Sequence, residues 1–76
     1  MIRAFELIKT EIGKDKQVLS LLRDLEGIKK ISMVTGEFDI IVVAESDHMA
    51  TLMNVVIEKI RCLDGISDTN TSIVIK

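Results

Sequence analysis

Residues 35–44 read Thr-Gly-Glu-Phe-Asp-Ile-Ile-Val-Val-Ala, TGEFDIIVVA. A turn signal at Gly36 and Glu37 runs almost directly into five apolar residues, Ile40 to Ala44. A short β-branched run bounded by turn residues reads as a strand. Successive strand side chains point to opposite faces, so Ile40, Val42 and Ala44 share one face and Ile41 and Val43 the other. Both faces are apolar. Helices of the same chain can cover one, and the other needs a second cover.

Working outward, the glycines divide the chain, which has four of them and no proline. Ile2 to Thr10 is aliphatic and reads as a strand. From Lys14 to Leu25 the apolar positions are Val18, Leu21, Leu22 and Leu25, spaced as one face of an amphipathic helix. Asp15 suits the positive end of that helix's dipole, and Gly27 follows it as helix-ending glycines do. Ile28 to Val34 predicts a second strand and Phe38 to Ala44 a third. Ser46 or Asp47 is the expected cap of a second helix, with Met49, Leu52, Met53, Val56, Ile60 and Leu63 as its apolar stripe. After Gly65, Ile66 to Ile75 predicts a fourth strand, with Thr69, Thr71 and Ile73 alternating with Asn70, Ser72 and Val74.

The order is β-α-β-β-α-β. Leu25-Glu26-Gly27-Ile28 recurs as Leu63-Asp64-Gly65-Ile66, each copy where a helix hands over to a strand. Two βαβ halves predict an α+β, ferredoxin-like sandwich: a four-stranded antiparallel sheet with both helices on one face. Its other face stays bare unless a partner covers it, and a face-to-face dimer does so with one patch used twice.

Composition supports association. A 76-residue chain makes one domain, residues 1–76, and folding at this size buries only about 60% of the unfolded surface. Yet 47% of the residues are hydrophobic. Small domains are commonly rescued by disulfides, metals or partners. Cys62 is the single cysteine and His48 the single histidine, which argues against a disulfide or a zinc site.

The net charge is −2, with the basic residues scattered and only two aromatics, a poor pattern for nucleic-acid binding. No signal-peptide pattern is visible, and the longest uncharged stretch, Met49 to Ile57, is too short to span a bilayer. The single free thiol suits the cytoplasm.

Little in the sequence suits catalysis, and it predicts neither an enzyme nor a cofactor. His48 reads as a solvated residue at a helix start, and Cys62 as a small hydrophobe with no base placed beside it. Glu37 and Asp39 read as turn carboxylates. Outside the turn, only His48, Glu6 and Glu11 could serve an enzyme built on this fold. Two polar clusters stand out instead. Thr35-Gly36-Glu37-Phe38-Asp39 gathers a hydroxyl, an apolar wall, carboxylates and free backbone groups. Thr69-Asn70-Thr71-Ser72 lines the start of the last strand with hydroxyls. Together they have the chemistry to hold a small zwitterion.

TGEFDIIVV, the capped helix after it and LDGISDTNTSIVI resemble the effector-binding domain of the Lrp/AsnC family of feast/famine transcriptional regulators, called the RAM domain. The earlier stretch LIKTEIGKDKQVLSLLRDLEGIKKISMVTGEFD is similar in order and spacing, so the resemblance covers essentially the whole chain. It implies a dimer formed through the sheets, assembly into higher-order rings, and an amino-acid effector bound near subunit interfaces. Thr35, Gly36, Phe38 and Asp39 match the family's turn, around Glu37, and Thr69, Thr71 and Ser72 match its last strand. Phe38 stands where tyrosine is common. Met1 lies almost directly before the first strand, so the chain resembles a stand-alone RAM module without a helix-turn-helix, one that modulates full-length regulators. Alternatives are a purely structural oligomerisation module, or an ACT-type domain with its amino acid near Ile12 and Gly13.

Overall fold

A computed structural model describes residues 1–75. Strand β1 (Ile2–Thr10) leads to helix α1 (Asp15–Arg23), followed by β2 (Ile28–Met33) and β3 (Ile40–Ser46). A second helix, α2 (residues 49–61), and strand β4 (Ile66–Ile73) complete the order. The four strands form one sheet in the order β2-β3-β1-β4 with every neighbouring pair antiparallel. This is the ferredoxin-like sandwich that the repeat predicts.

Strand register sorts the side chains. Glu6 lies opposite Val42 on one side and Thr71 on the other, and Ile8 lies opposite Ile40 and Thr69. On this face Ala4, Ile8, Ile40, Val42 and Ala44 are sealed against Val18 and Leu22 of α1 and Leu52, Val56, Ile57 and Ile60 of α2. The opposite face carries Phe5 and Leu7, paired with Val43 and Ile41. No helix covers that face, and Phe5 is 38% exposed.

The two repeated joints do equivalent work. Gly27 and Gly65 both adopt positive φ, +85° and +97°. The Gly27 carbonyl accepts from the Glu45 amide at 2.9 Å and the Gly65 carbonyl from the Glu11 amide at 2.8 Å. Each joint therefore ties the entry of its strand to the end of a strand from the other half of the chain.

Several boundaries differ from those expected. The third strand begins at Ile40 rather than Phe38, because Asp39 belongs to the turn: its carbonyl accepts from Val34 N–H at 2.9 Å. It extends to Ser46, as Glu45 and Ser46 continue to pair with Arg3 and Ile2. Neither Ser46 nor Asp47 caps α2. The cap position is His48, whose amide instead donates to Ser46 Oγ at 3.4 Å. Within α2 the middle, Leu52–Ile57, is π-helical between α-helical ends, Met49–Thr51 and Glu58–Arg61. Adjacent Val56 and Ile57 both reach the core, whereas Met49, placed on the apolar stripe by a regular 3.6-residue period, is 45% exposed. Cys62, read as a small hydrophobe, is exposed.

Candidate functional site

The turn between β2 and β3 and the start of β4 lie toward the same end of the sheet. Ile40 and Thr69 are both opposite Ile8, one on each side of β1, which puts their backbones roughly 10 Å apart. Thr35, Gly36 and Glu37 are exposed at the tip, with Gly36 at φ +114°. Phe38 and Asp39 are half-buried. The Asp39 carboxylate oxygen Oδ2 accepts from the Thr10 amide at 2.9 Å and from the Thr10 hydroxyl at 3.2 Å, while the Asp39 amide donates to Ile8 O at 2.9 Å. Asp39 thus anchors the turn to the end of β1, leaving Thr35, the Glu37 carboxylate and the backbone of residues 35–37 as the turn's outward polar groups.

The hydroxyl-rich strand is divided by its own pleat. Thr69 and Thr71 face the helices, whereas Ser72 stands on the open face opposite Phe5. The structure therefore brings the turn and β4 to one region without gathering Thr35, Gly36, Glu37, Phe38, Asp39, Thr69, Thr71 and Ser72 into one cavity. Two surface depressions lie elsewhere. One, of about 400 Å³, is bordered by Met1, Arg3, Glu45, Val74 and Ile75, and another, of about 210 Å³, lies between the end of α1 and β2.

Thr71 has a partner that the sequence does not announce. Glu6 is fully buried on the helix-facing side, and its Oε1 accepts the Thr71 hydroxyl hydrogen bond. Its Oε2 is buried without a hydrogen-bond partner among the described residues. Burial pushes the Glu6 carboxyl above its ordinary pKa, with the Thr71 hydrogen bond and the Arg61 charge pulling the other way. The physical reason is that a low-dielectric interior penalises the charged form. Glu6 is thus coupled to a candidate site residue through one hydrogen bond. His48 and Glu11, the other groups open to an enzyme built on this fold, are both exposed.

Among the described residues, no group of three or more His, Cys, Asp or Glu side chains could hold a metal ion. No helix of the described residues is long and apolar enough to cross a membrane.

Comparison with known proteins places this geometry. The family model described as the Lrp/AsnC ligand binding domain matches residues 3–76. The crystal structure of FFRP-DM1 superposes with a TM-score of 0.91 at 37% identity, covering 99% of this chain and 100% of that one. The HTH-type transcriptional regulator FL11 of Pyrococcus furiosus is 32% identical over 75 residues, 99% of this chain and 49% of the regulator. Homocitrate synthase of Sulfolobus acidocaldarius is 35% identical over 52 residues, 68% of this chain and 11% of the enzyme. The chain thus spans about half the length of the regulator and a small fraction of the enzyme.

Proposed function

Because this chain belongs to the Lrp/AsnC ligand-binding domain family, we propose that it is an effector module that binds an amino acid and assembles with copies of itself. The observation that carries the proposal is the bare sheet face. Phe5, Leu7, Ile41 and Val43 form a contiguous apolar surface that no helix covers, and such surfaces mark association sites. A second sheet packed on it completes the sandwich and brings the turn of one subunit near the edge of another. In that setting the backbone groups of residues 35–37, with Thr35, Phe38 and Ser72, offer donors and an apolar wall to a zwitterion, and Asp39, Thr69 and Thr71 hold the frame. Higher-order assembly and modulation of full-length regulators belong to the same proposal. Sharing one module between a regulator and a small part of an enzyme fits sensing better than catalysis.

Thermal unfolding and sedimentation velocity, each run with every one of the twenty amino acids, test the sensing role. At least one amino acid is expected to raise Tm and shift the assembly distribution, since a ligand stabilises only the states it binds. Thr35→Ala should weaken that response. If no amino acid moves either quantity, the sensing role is wrong.

A purely structural module is the second reading, favoured by one observation: the Thr71 hydroxyl and the Asp39 carboxylate are both engaged inside the chain. On that reading Thr35→Ala leaves assembly unchanged and no amino acid alters it.

A further inference from the structure

At one end of the open face the sheet turns from apolar to charged. Register puts Arg3 of β1 beside Glu45 of β3. The Val74 amide donates to Arg3 O at 2.9 Å, which sets Val74 on the other side of Arg3. These three share a face with Phe5, Val43 and Ser72, two positions away along each strand. A row of carboxylate, guanidinium and isopropyl group therefore closes the face. With Met1 and Ile75 it borders the depression of about 400 Å³, a volume within the roughly 300–1,000 Å³ range of small-ligand sites.

The charges at this corner do not balance. Arg3 Nε donates to Glu45 Oε2 at 2.7 Å and Nη2 lies 2.6 Å from the same oxygen, while Lys29 Nζ stands 4.0 Å from Oε1. Two cations thus share one carboxylate. The Glu45 side chain is 10% exposed and that of Arg3 55%, so the acid is enclosed and the guanidinium is not. A guanidinium is a planar fork of five donors. Arg3 has given one edge to Glu45 and keeps another, of the kind that holds a carboxylate bidentately. Glu26 and Asp47, exposed on neighbouring turns, do not border the depression. An ammonium group therefore finds no free anion here, whereas a carboxylate finds a cation beside three apolar side chains.

We propose that this corner of the sheet binds a short aliphatic monocarboxylate that carries no amino group, its carboxylate on the free edge of Arg3 and its tail against Met1, Val74 and Ile75. The corner is separate from the turn between β2 and β3. Asp39 ties that turn to Thr10, at the far end of β1, about 23 Å from Arg3. One charged contact in an open depression gives weak binding, with a Kd of about 1 mM.

Titration of the untagged, nitrogen-15-labelled chain with isovalerate, followed by amide chemical shifts, tests the proposal. The amides of Arg3, Glu45, Val74 and Ile75 are expected to move saturably while those of residues 35–37 stay in place. Acetate lacks the tail, isoamyl alcohol lacks the charge, and leucine adds an ammonium group to a corner with surplus cations. Each should bind there about tenfold more weakly or worse. Arg3→Gln should weaken isovalerate about tenfold or more. Glu45→Gln removes the internal competitor for the guanidinium and should tighten it about threefold, a gain that a merely structural ion pair would not produce.

No saturable shift at the corner overturns the proposal, as does isovalerate affinity unchanged in both variants. Acetate binding as tightly as isovalerate means an adventitious ion only, and leucine binding as tightly means that the ligand class is wrong. An amino acid held at the turn would instead move the amides of residues 35–37, so that reading stands or falls separately. Ile41→Asp, about 13 Å from Glu45 along β3, should keep the isovalerate shifts, which frees the result from the sheet-face dimer. Circular dichroism checks the fold of each variant.

Discussion

Glu6 is the charged side chain sealed in the interior, and it lies on the central strand β1 between Ala4 and Ile8. A buried polar atom with no partner costs about 1–3 kcal/mol, and here Oε2 is such an atom. Proton linkage fixes the direction of the pH effect. Burial raises the folded-state pKa above its unfolded value, so folding favours the protonated carboxyl. The stability this contributes is fully present below the unfolded carboxylate pKa and is lost as pH rises through the folded one. Glu6→Gln keeps an acceptor for Thr71 and cannot ionise. Urea midpoints for the two proteins should therefore diverge as pH rises through that window, the wild type weakening while the Gln variant holds its midpoint. Parallel stability–pH curves would show that Glu6 does not titrate in the fold. The sequence alone did not reveal this residue's setting. Alternation puts Glu6 opposite in sense to Phe5 and Leu7, and the bulk of those two suggests that theirs is the inner face.

At the scale of elements, the joint glycine Gly27 and the turn glycine Gly13 allow a controlled comparison. Gly27 and Gly13 have nearly the same positive φ, +85° and +80°, so an L side chain strains both alike, by about 1–2 kcal/mol. Their surroundings differ. A Cβ on Gly27 would lie 2.6 Å from Val56 Cγ2, on a buried and stiff β-branched side chain, whereas a Cβ on Gly13 meets nothing within 4 Å. Gly27→Ala should therefore lower the urea midpoint clearly more than Gly13→Ala; equal losses would mean that α2 gives way at Val56 without cost. The joints were legible because LEGI and LDGI repeat, and the strands because their apolar runs end at turn residues. The π-helical middle of α2 was not legible. Leu52, Met53, Val56, Ile57 and Ile60 all fit the regular helical period, so nothing in the apolar spacing marks the wider turns. The candidate site was legible as residue types but not as an arrangement, because the pleat of β4 sends Thr71 to Glu6 and Ser72 to the open face.

For the whole molecule, the apolar run Ile40 to Ala44 poses a question of packing that one chain answers by half. Ile40, Val42 and Ala44 are fully buried, while Ile41 and Val43 remain half-exposed beside Phe5 and Leu7. A face-to-face dimer would remove that surface from water, at roughly 25 cal/mol per Å² of apolar area. The two faces of β3 must then respond differently to the same substitution. Val42→Asp puts an unpaired carboxylate under the helices, among Glu6, Ile31 and the core, and should prevent folding altogether. Val43→Asp leaves that core intact. Its carboxylate stays solvated in a monomer but is desolvated in the dimer, near its symmetry mate, at a cost of about 3 kcal/mol or more, roughly a hundredfold or more in Kd. Sedimentation equilibrium should then find a folded monomer for Val43→Asp, and Ile41→Asp should behave alike, since both lie on the open face. A dimer of unchanged affinity in both variants would mean that the bare sheet is not the seam, and the source of this small chain's added stability would have to be sought on another surface.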